Sequence, residues 1–250
     1  MITATTLHLA HSVKQTFLPA FWRLGQLTTG LPVLWPMTYQ QAVIVECSAK
    51  SHHDACRLVE NCLLLLLQVS PAELLQLTMY EHSLRPSFPR LSKQYPISSA
   101  ITRIHHKKHF KDHLHDLQQL AHQRKTLLAS LDVATWYDYM AMNDQAEPLQ
   151  VVVISHLWPD VELLSELADL CQYGVQYGIL PIVIVSSRYF PAIAHDDWQA
   201  NLNEIIADIH HNNVRIAVHK EAALEIKQPV LQEIANLYHF FKPTVDDCPV

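Results

Sequence analysis

Val43-Ile44-Val45-Glu46-Cys47-Ser48-Ala49-Lys50-Ser51-His52-His53-Asp54-Ala55, followed by a run that predicts helix through Gln68, has the layout of a strand, a phosphate loop and a helix. It lacks the chemistry of one. A loop that cradles phosphates uses bare backbone amides at close range and positive φ at some positions, which glycine supplies, with a Lys and a hydroxyl for the phosphates and Mg²⁺. No glycine occurs between Gly30 and Gly174. The stretch therefore reads as part of a nucleotide-hydrolase scaffold without its catalytic parts.

Outward from this stretch, apolar strands alternate with helices. Leu75, Leu77 and Met79 predict a second strand, Ile101–Ile104 a third, Val151–Ile154 a fourth, Ile179–Val185 a fifth and Val214–Val218 a sixth. Phe110, Leu114, Leu117, Ala121, Leu128 and Leu131 recur at spacings of three and four and define one face of a long helix, a stripe interrupted by Arg124. Further helices are expected near Asp160–Tyr173, Asp197–Ile209 and Pro229–Phe241. Residues 81–98, with Pro86, Pro89 and Pro96, read as a surface loop. Trp136, Tyr137 and Tyr139 are expected to anchor the long helix to the sheet. Strands without strict period-two patterning imply a mostly parallel sheet covered on both faces, an α/β three-layer sandwich.

Composition sets the bounds. The 250 residues fit one large domain, here 41–250, preceded by an apolar, irregular lead-in over 1–40 that packs on the domain or on a partner. The four glycines are roughly four-fold below the usual share of about 7%, which favours a packed, helix-rich chain. A formal charge of −6 supplies no global drive toward nucleic acid or anionic lipid, so DNA contact is open but not indicated by charge. The five cysteines form no CxxC pair and most of them sit in apolar settings, as buried thiols of a cytoplasmic protein do. Cys62–Leu67 is the longest apolar run, far below the roughly 20 residues of a membrane span.

The order of elements from about residue 41 to 219 resembles the motor domain of the FtsK/SpoIIIE translocases, a RecA-like branch of P-loop ATPases that includes the ATPase domains of type VII secretion. His115–Tyr139 is similar to the family's helix with a Glu-Arg-Arg-type run, a Gly-Val turn and an aromatic-Asn ending. Val151–Ile154 takes the place of Walker B, and Tyr177-Gly178-Ile179 with Val183–Arg188 resembles the family's Ala-Gly-Ile-His-Leu-Ile-Leu-Ala-Thr-Gln-Arg. Ser187-Arg188-Tyr189 resembles the Ser-Arg-aromatic ending of the secretion branch. Carried over by position, the loop glycines fall on Cys47, Lys50 and His52, the Lys on His53 and the Ser/Thr on Asp54. The acidic residue after the next strand falls on Tyr80, the Walker B Asp and Glu on Ser155 and His156, and the sensing Gln on Ser187; Arg188 matches.

The resemblance implies a catalytically inactive, FtsK-like pseudo-ATPase with no cofactor. It would act through protein partners, such as an active ATPase, as a structural or regulatory subunit of a DNA-handling or secretion assembly. Leu237-Tyr238-His239-Phe240-Phe241 is one candidate partner surface. Two alternatives remain. The vestigial loop, through Ser48, Lys50, Ser51, His53 and Asp54, holds a nucleotide or anion without hydrolysing it, or the chain is a divergent DNA-dependent ATPase completed by a neighbouring subunit, with Arg188 as the residue to test.

Other concentrations read as structural. His105, His109 and His113 are four apart, as ligands sharing a metal on a helix would be, but no Cys or Glu completes a zinc pattern and the tract reads as an exposed, weakly basic helix start. Cys47 or Ser48 beside His52 and His53 is the one grouping suited to nucleophilic catalysis, and it lacks a Gly-x-Ser-x-Gly elbow.

Overall fold

The computed structural model describes residues 21–26, 32–36, 41–70, 72–81, 86–96, 100–143, 147–157, 160–186, 207, 209, 213–219 and 224–227. The helices expected at 197–209 and 229–241, together with Arg188, Cys248 and the aromatic run 237–241, lie outside the described residues, save for two helical positions at 207 and 209. Part of the lead-in is regular. Phe21–Gln26 (β1) and Pro32–Pro36 (β2) pair antiparallel as a separate two-stranded sheet, with Trp22 opposite Trp35 in the register.

Val43–Cys47 (β3) leads into α1, His52–Val69, and Leu75–Tyr80 (β4) follows a single 3-10 turn. Pro89–Gln94 (α2) precedes Ile101–Ile104 (β5); Lys107–Leu131 (α3) and Trp136–Met142 (α4) precede Leu149–Ile154 (β6). Val161–Asp169 (α5) runs through one π turn and one 3-10 turn into Ile179–Ser186 (β7), and Val214–Val218 (β8) and Leu224–Lys227 (β9) complete the sheet.

The seven strands run in the order β5-β4-β6-β7-β3-β8-β9, all parallel except β9, which pairs antiparallel with β8 at the edge. This is the RecA-like α/β sandwich that the sequence implies. Right-handed crossovers fix the layers: the connections from β3 to β4 and from β4 to β5 run one way along the sheet, and those from β5 to β6 and from β6 to β7 run back. So α1 and α2 share one face while α3 and α5 share the other, in agreement with the α1–α2 and α3–α5 contacts. Every residue of β6 is buried, as are all but one of β7, which is why Val151–Ile154 and Ile179–Val185 read as apolar runs.

The segment read as a surface loop is partly interior. Pro89 opens α2 at a position where its missing N–H costs nothing, Phe88 and Leu91 are fully buried, and the Glu60 carboxylate of α1 accepts the Leu91 N–H at 2.9 Å.

Arg124 does not break the α3 stripe but belongs to it, at 2% exposure. One terminal nitrogen donates to the carbonyls of Tyr177 (3.0 Å) and Gly178 (3.1 Å), the other to Pro148 O (2.9 Å) and the Glu147 carboxylate (3.3 Å). The guanidinium carbon lies 4.0 Å from the centre of the Trp136 ring. Gly178 has φ +75°, and a Cβ there would stand 2.2 Å from Trp136 and 2.9 Å from Arg124, so the approach needs glycine. Trp136 thus anchors α3 and α4 to the edge of the sheet where β6 and β7 begin. Asp132, next to Val133 where the resemblance places a Gly-Val turn, ends α3 in the left-handed conformation (φ 54°).

Candidate functional site

Parallel strands end at one edge of the sheet, and loops at that edge form the usual ligand crevice of open α/β folds. Here the turn after β3, the start of α1, the segment after β4 and the segment after β6 meet there.

The turn Ser48–Ser51 is closed upon itself. Ser48 N donates to Ser51 Oγ (3.0 Å), Ser51 N points to both Ser48 O and Ser48 Oγ (3.2 Å each), and the two hydroxyls stand 2.9 Å apart. Ser51 is fully buried, and its hydroxyl donates across the sheet to Val218 O at 2.8 Å. The backbone amides of Ser48 and Ser51 are thus engaged within the turn. With its hydroxyl turned to β8, Ser51 leaves α1 without a side-chain cap. Lys50 and His53 are exposed, and Asp54 is half-buried in the first turn of α1. Ser48, Lys50 and Ser51 thus lie in the turn and His53 and Asp54 in the first turn of α1, with the two serines joined by the turn's hydrogen bonds.

Behind the turn, His52 lies between two thiols, Nδ1 3.7 Å from Cys47 Sγ and Nε2 3.5 Å from Cys56 Sγ. Burial pushes the Cys47 thiol up to about 11 and the Cys56 thiol up to about 12, the latter helped by the charges of Glu81 and Glu60, so both stay protonated at neutral pH. That argues against the nucleophile reading of Cys47, and Ser48 is held by Ser51. From the end of β6, His156 stacks at a tilt on His52, ring centres 4.8 Å apart. Ser155, where the resemblance places a Walker B carboxylate, is fully buried and extends the β4–β6 pairing: its N–H and its hydroxyl both donate to Tyr80 O, at 3.2 and 3.1 Å. Tyr80 itself is buried on the α3 face, stacked on Phe110 at 4.2 Å, with its hydroxyl pKa raised by burial.

Glu81 is a buried carboxylate that sequence reasoning passed over. Its Oε1 accepts the Ser87 N–H at 2.6 Å, which fixes the segment ahead of α2 over the site. His52, His53, Cys56, Ser87 and His156 line a pocket of about 200 Å³, below the roughly 300–1,000 Å³ of ordinary ligand pockets. His105 sits before α3, not on it, and is 2.8 Å from Glu81 O through Nδ1, so it does not share a helical face with His109 and His113. Burial lowers the pKa of His113.

No protein-family model matches the sequence, and no curated protein matches it. Solved structures do match the fold. EssC (ATPases 2 and 3) from Geobacillus thermodenitrificans aligns over 87% of this chain at 14% identity and TM-score 0.59. The pCW3 conjugation coupling protein TcpA, in its monomer form with ATPγS, aligns over 79% at 12% identity and TM-score 0.55. Thermomonospora curvata EccC (ATPases 2 and 3), in complex with a signal sequence peptide, aligns over 83% at 10% identity and TM-score 0.53. The chain spans 40% of the EssC structure, 54% of TcpA and 35% of EccC. At these identities the likeness is one of fold, and the fold is that of the FtsK/SpoIIIE-type ATPase domains that the sequence resembles.

Proposed function

We propose that the chain is a catalytically inactive relative of these ATPase domains, acting through protein contacts as a structural or regulatory part of a cytoplasmic secretion or DNA-handling assembly. The observation that carries this reading is the turn after β3, where Ser48 and Ser51 satisfy each other's polar groups and Ser51 is tied to Val218 O. Phosphoryl transfer depends on donors and cations aimed at the phosphates and on a group that positions the attacking water. At the corresponding positions stand an exposed His53, a carboxylate at Asp54, a hydroxyl at Ser155 engaged with Tyr80 O, and His156. TcpA is named a conjugation coupling protein, and EccC of Thermomonospora curvata a type VII secretion ATPase, which supports an assembly as the setting.

Phosphate release from ATP and Mg²⁺ is expected to stay at the blank rate for the chain alone. Turnover that disappears in His53→Ala overturns the proposal. A second reading, nucleotide or anion binding without hydrolysis, is favoured by the first turn of α1, which has no side-chain cap. Melting curves with ATP, ADP and GTP, with and without Mg²⁺, separate the two: the scaffold shows no shift, a binding module shows one for its ligand.

A further inference from the structure

On the side of the sheet covered by α1 and α2, positive charge stands without its counterpart. Arg90 and Lys93 of α2 are exposed, and Arg57 of α1 and Arg103 of β5 are half-buried. We propose that this face docks an acidic polypeptide segment, one rich in Asp and Glu, from a protein partner. The proposal rests on the reading of the chain as acting through protein contacts and gives the contact a place and a chemistry.

The first observation is that these cations belong to one surface. Arg90 Nη1 donates to Asn61 Oδ1 at 2.6 Å, and Asn61 lies one helical turn after Arg57. Burial raises the Glu60 pKa while the charges of Arg90 and Arg57 oppose the rise, so both guanidinium groups stand near the same carboxyl. Lys93 follows Arg90 by three positions on α2, and Arg103 Nη2 donates at 3.2 Å to the carbonyl of Tyr95, the residue that ends α2. Exposed His53 extends the row on α1, one turn ahead of Arg57.

The second is the missing acid. Along α1, α2 and β5 the carboxylates are Asp54, half-buried in the first turn of α1, and Glu60, which is buried and accepts the Leu91 N–H. Among the described residues no carboxylate forms an ion pair with Arg57, Arg90, Lys93 or Arg103, whereas Lys107 and Lys111 of α3 are matched by Asp160 and Glu162. On a chain of net charge −6, this face carries a local field opposite in sign to the whole.

The third is preorganisation. Asn61 and the Tyr95 carbonyl each hold a guanidinium by one N–H and leave its other donors unused. Forks held in place suit carboxylates bidentately, with less side-chain freedom to lose on binding. Phosphates are the other anions such forks take, but α1 and α2 contain no Phe, Tyr or Trp on which nucleic-acid bases could stack. That favours a carboxylate-bearing chain.

The test follows the fluorescence anisotropy of a labelled peptide of about a dozen residues, repeating Asp-Glu-Leu, as the full chain is added. Its Asn-Gln-Leu counterpart and single- and double-stranded oligonucleotides of equal net charge are run beside it. Expected are saturable binding of the acidic peptide at about 50 mM salt, at least about fivefold weaker at about 200 mM, and no binding of the amide peptide. Arg90→Glu combined with Lys93→Glu weakens binding by at least about tenfold, while Lys125→Glu, a charge reversal on the exposed side of α3, changes it by less than about twofold. No binding by wild type, equal binding of the amide peptide, tighter binding of either oligonucleotide, or equal weakening by Lys125→Glu overturns the proposal. Should the double Glu variant fail to fold by circular dichroism, Arg90→Gln with Lys93→Gln decides: a loss of at least about threefold is expected, and unchanged affinity overturns the docking site. ATP turnover with peptide binding intact would sink the inactive-scaffold reading alone, and absence of both would sink the docking site alone.

Discussion

Arg124 shows how one residue joins distant pieces of chain. Its guanidinium meets three carbonyls and a carboxylate from two loops and lies over an indole from a third segment. Burial lowers its pKa while the Glu147 charge opposes the shift, yet Glu147 is 63% exposed, so the carbonyls carry most of the compensation. Arg124→Ala strips these acceptors of their donor and opens space beside Trp136. A loss of about 3 kcal/mol or more is expected, read as a lower midpoint in urea unfolding. Arg124→Lys recovers only part, because a point charge cannot serve both sides of the fork. In the sequence, Arg124 keeps the spacing of Leu117 and Leu128, which places it on the buried face; the partners that make its burial tolerable come from Glu147–Pro148 and Tyr177–Gly178, and no local pattern reveals them.

At the scale of elements, α1 and α2 are linked through Glu60, whose carboxylate sits at the start of α2. Burial raises its pKa, with the backbone N–H groups of Leu91 and Arg90 pulling the other way. A folded value above the unfolded one, about 4.3 for a Glu, means the group's favourable contribution is complete below that pH and is lost as pH rises through the folded value. Glu60→Gln keeps an acceptor for Leu91 and removes the buried charge. The variant is expected to match or exceed wild type at pH 7 by up to about 1 kcal/mol, and to show a flatter pH dependence of unfolding above pH 4.3.

Which elements were legible follows from the same physics. Val43–Val45, Val151–Ile154 and Ile179–Val185 lie within strands covered on both faces, so their apolar character is sustained and their strand state is evident. The α3 stripe is equally plain. The β1–β2 hairpin was hidden among prolines, and α2 within a segment whose three prolines suggest a loop, although Pro89 is a helix-opening signal. β9 is a four-residue edge strand with alternating charges, a weak pattern. Of the candidate site, the Ser48–Asp54 turn and the Ser155–His156 segment were visible as departures from a phosphate-binding layout. The His52–Cys56–His156 contact was not, since it exists only once the sheet brings β3 and β6 to the same edge.

For the whole molecule, the 17 histidines outweigh a formal charge of −6, so mild acid turns a modest anion into a cation. His113 adds a stability component. Its folded pKa lies below the unfolded one, so its contribution is complete above about pH 6.5 and is lost as pH falls through the folded value. Sedimentation velocity between pH 5.5 and pH 8 is expected to show a change in assembly near pH 6.5, and His113→Gln a smaller loss of melting temperature on the acid side; a flat profile contradicts the first expectation. No helix among the described residues is long and apolar enough to cross a membrane.

The buried Ser51 hydroxyl, anchored to the tip of β8, bears on how this molecule would behave among moving neighbours. On the scaffold reading proposed above, a loop whose shape is set from within would have no vacant and loaded forms to alternate between. Placed in a machine whose other members run through a chemical cycle, such a subunit would keep time with nothing: it would offer a constant surface, and whatever motion it had would be passed to it from outside.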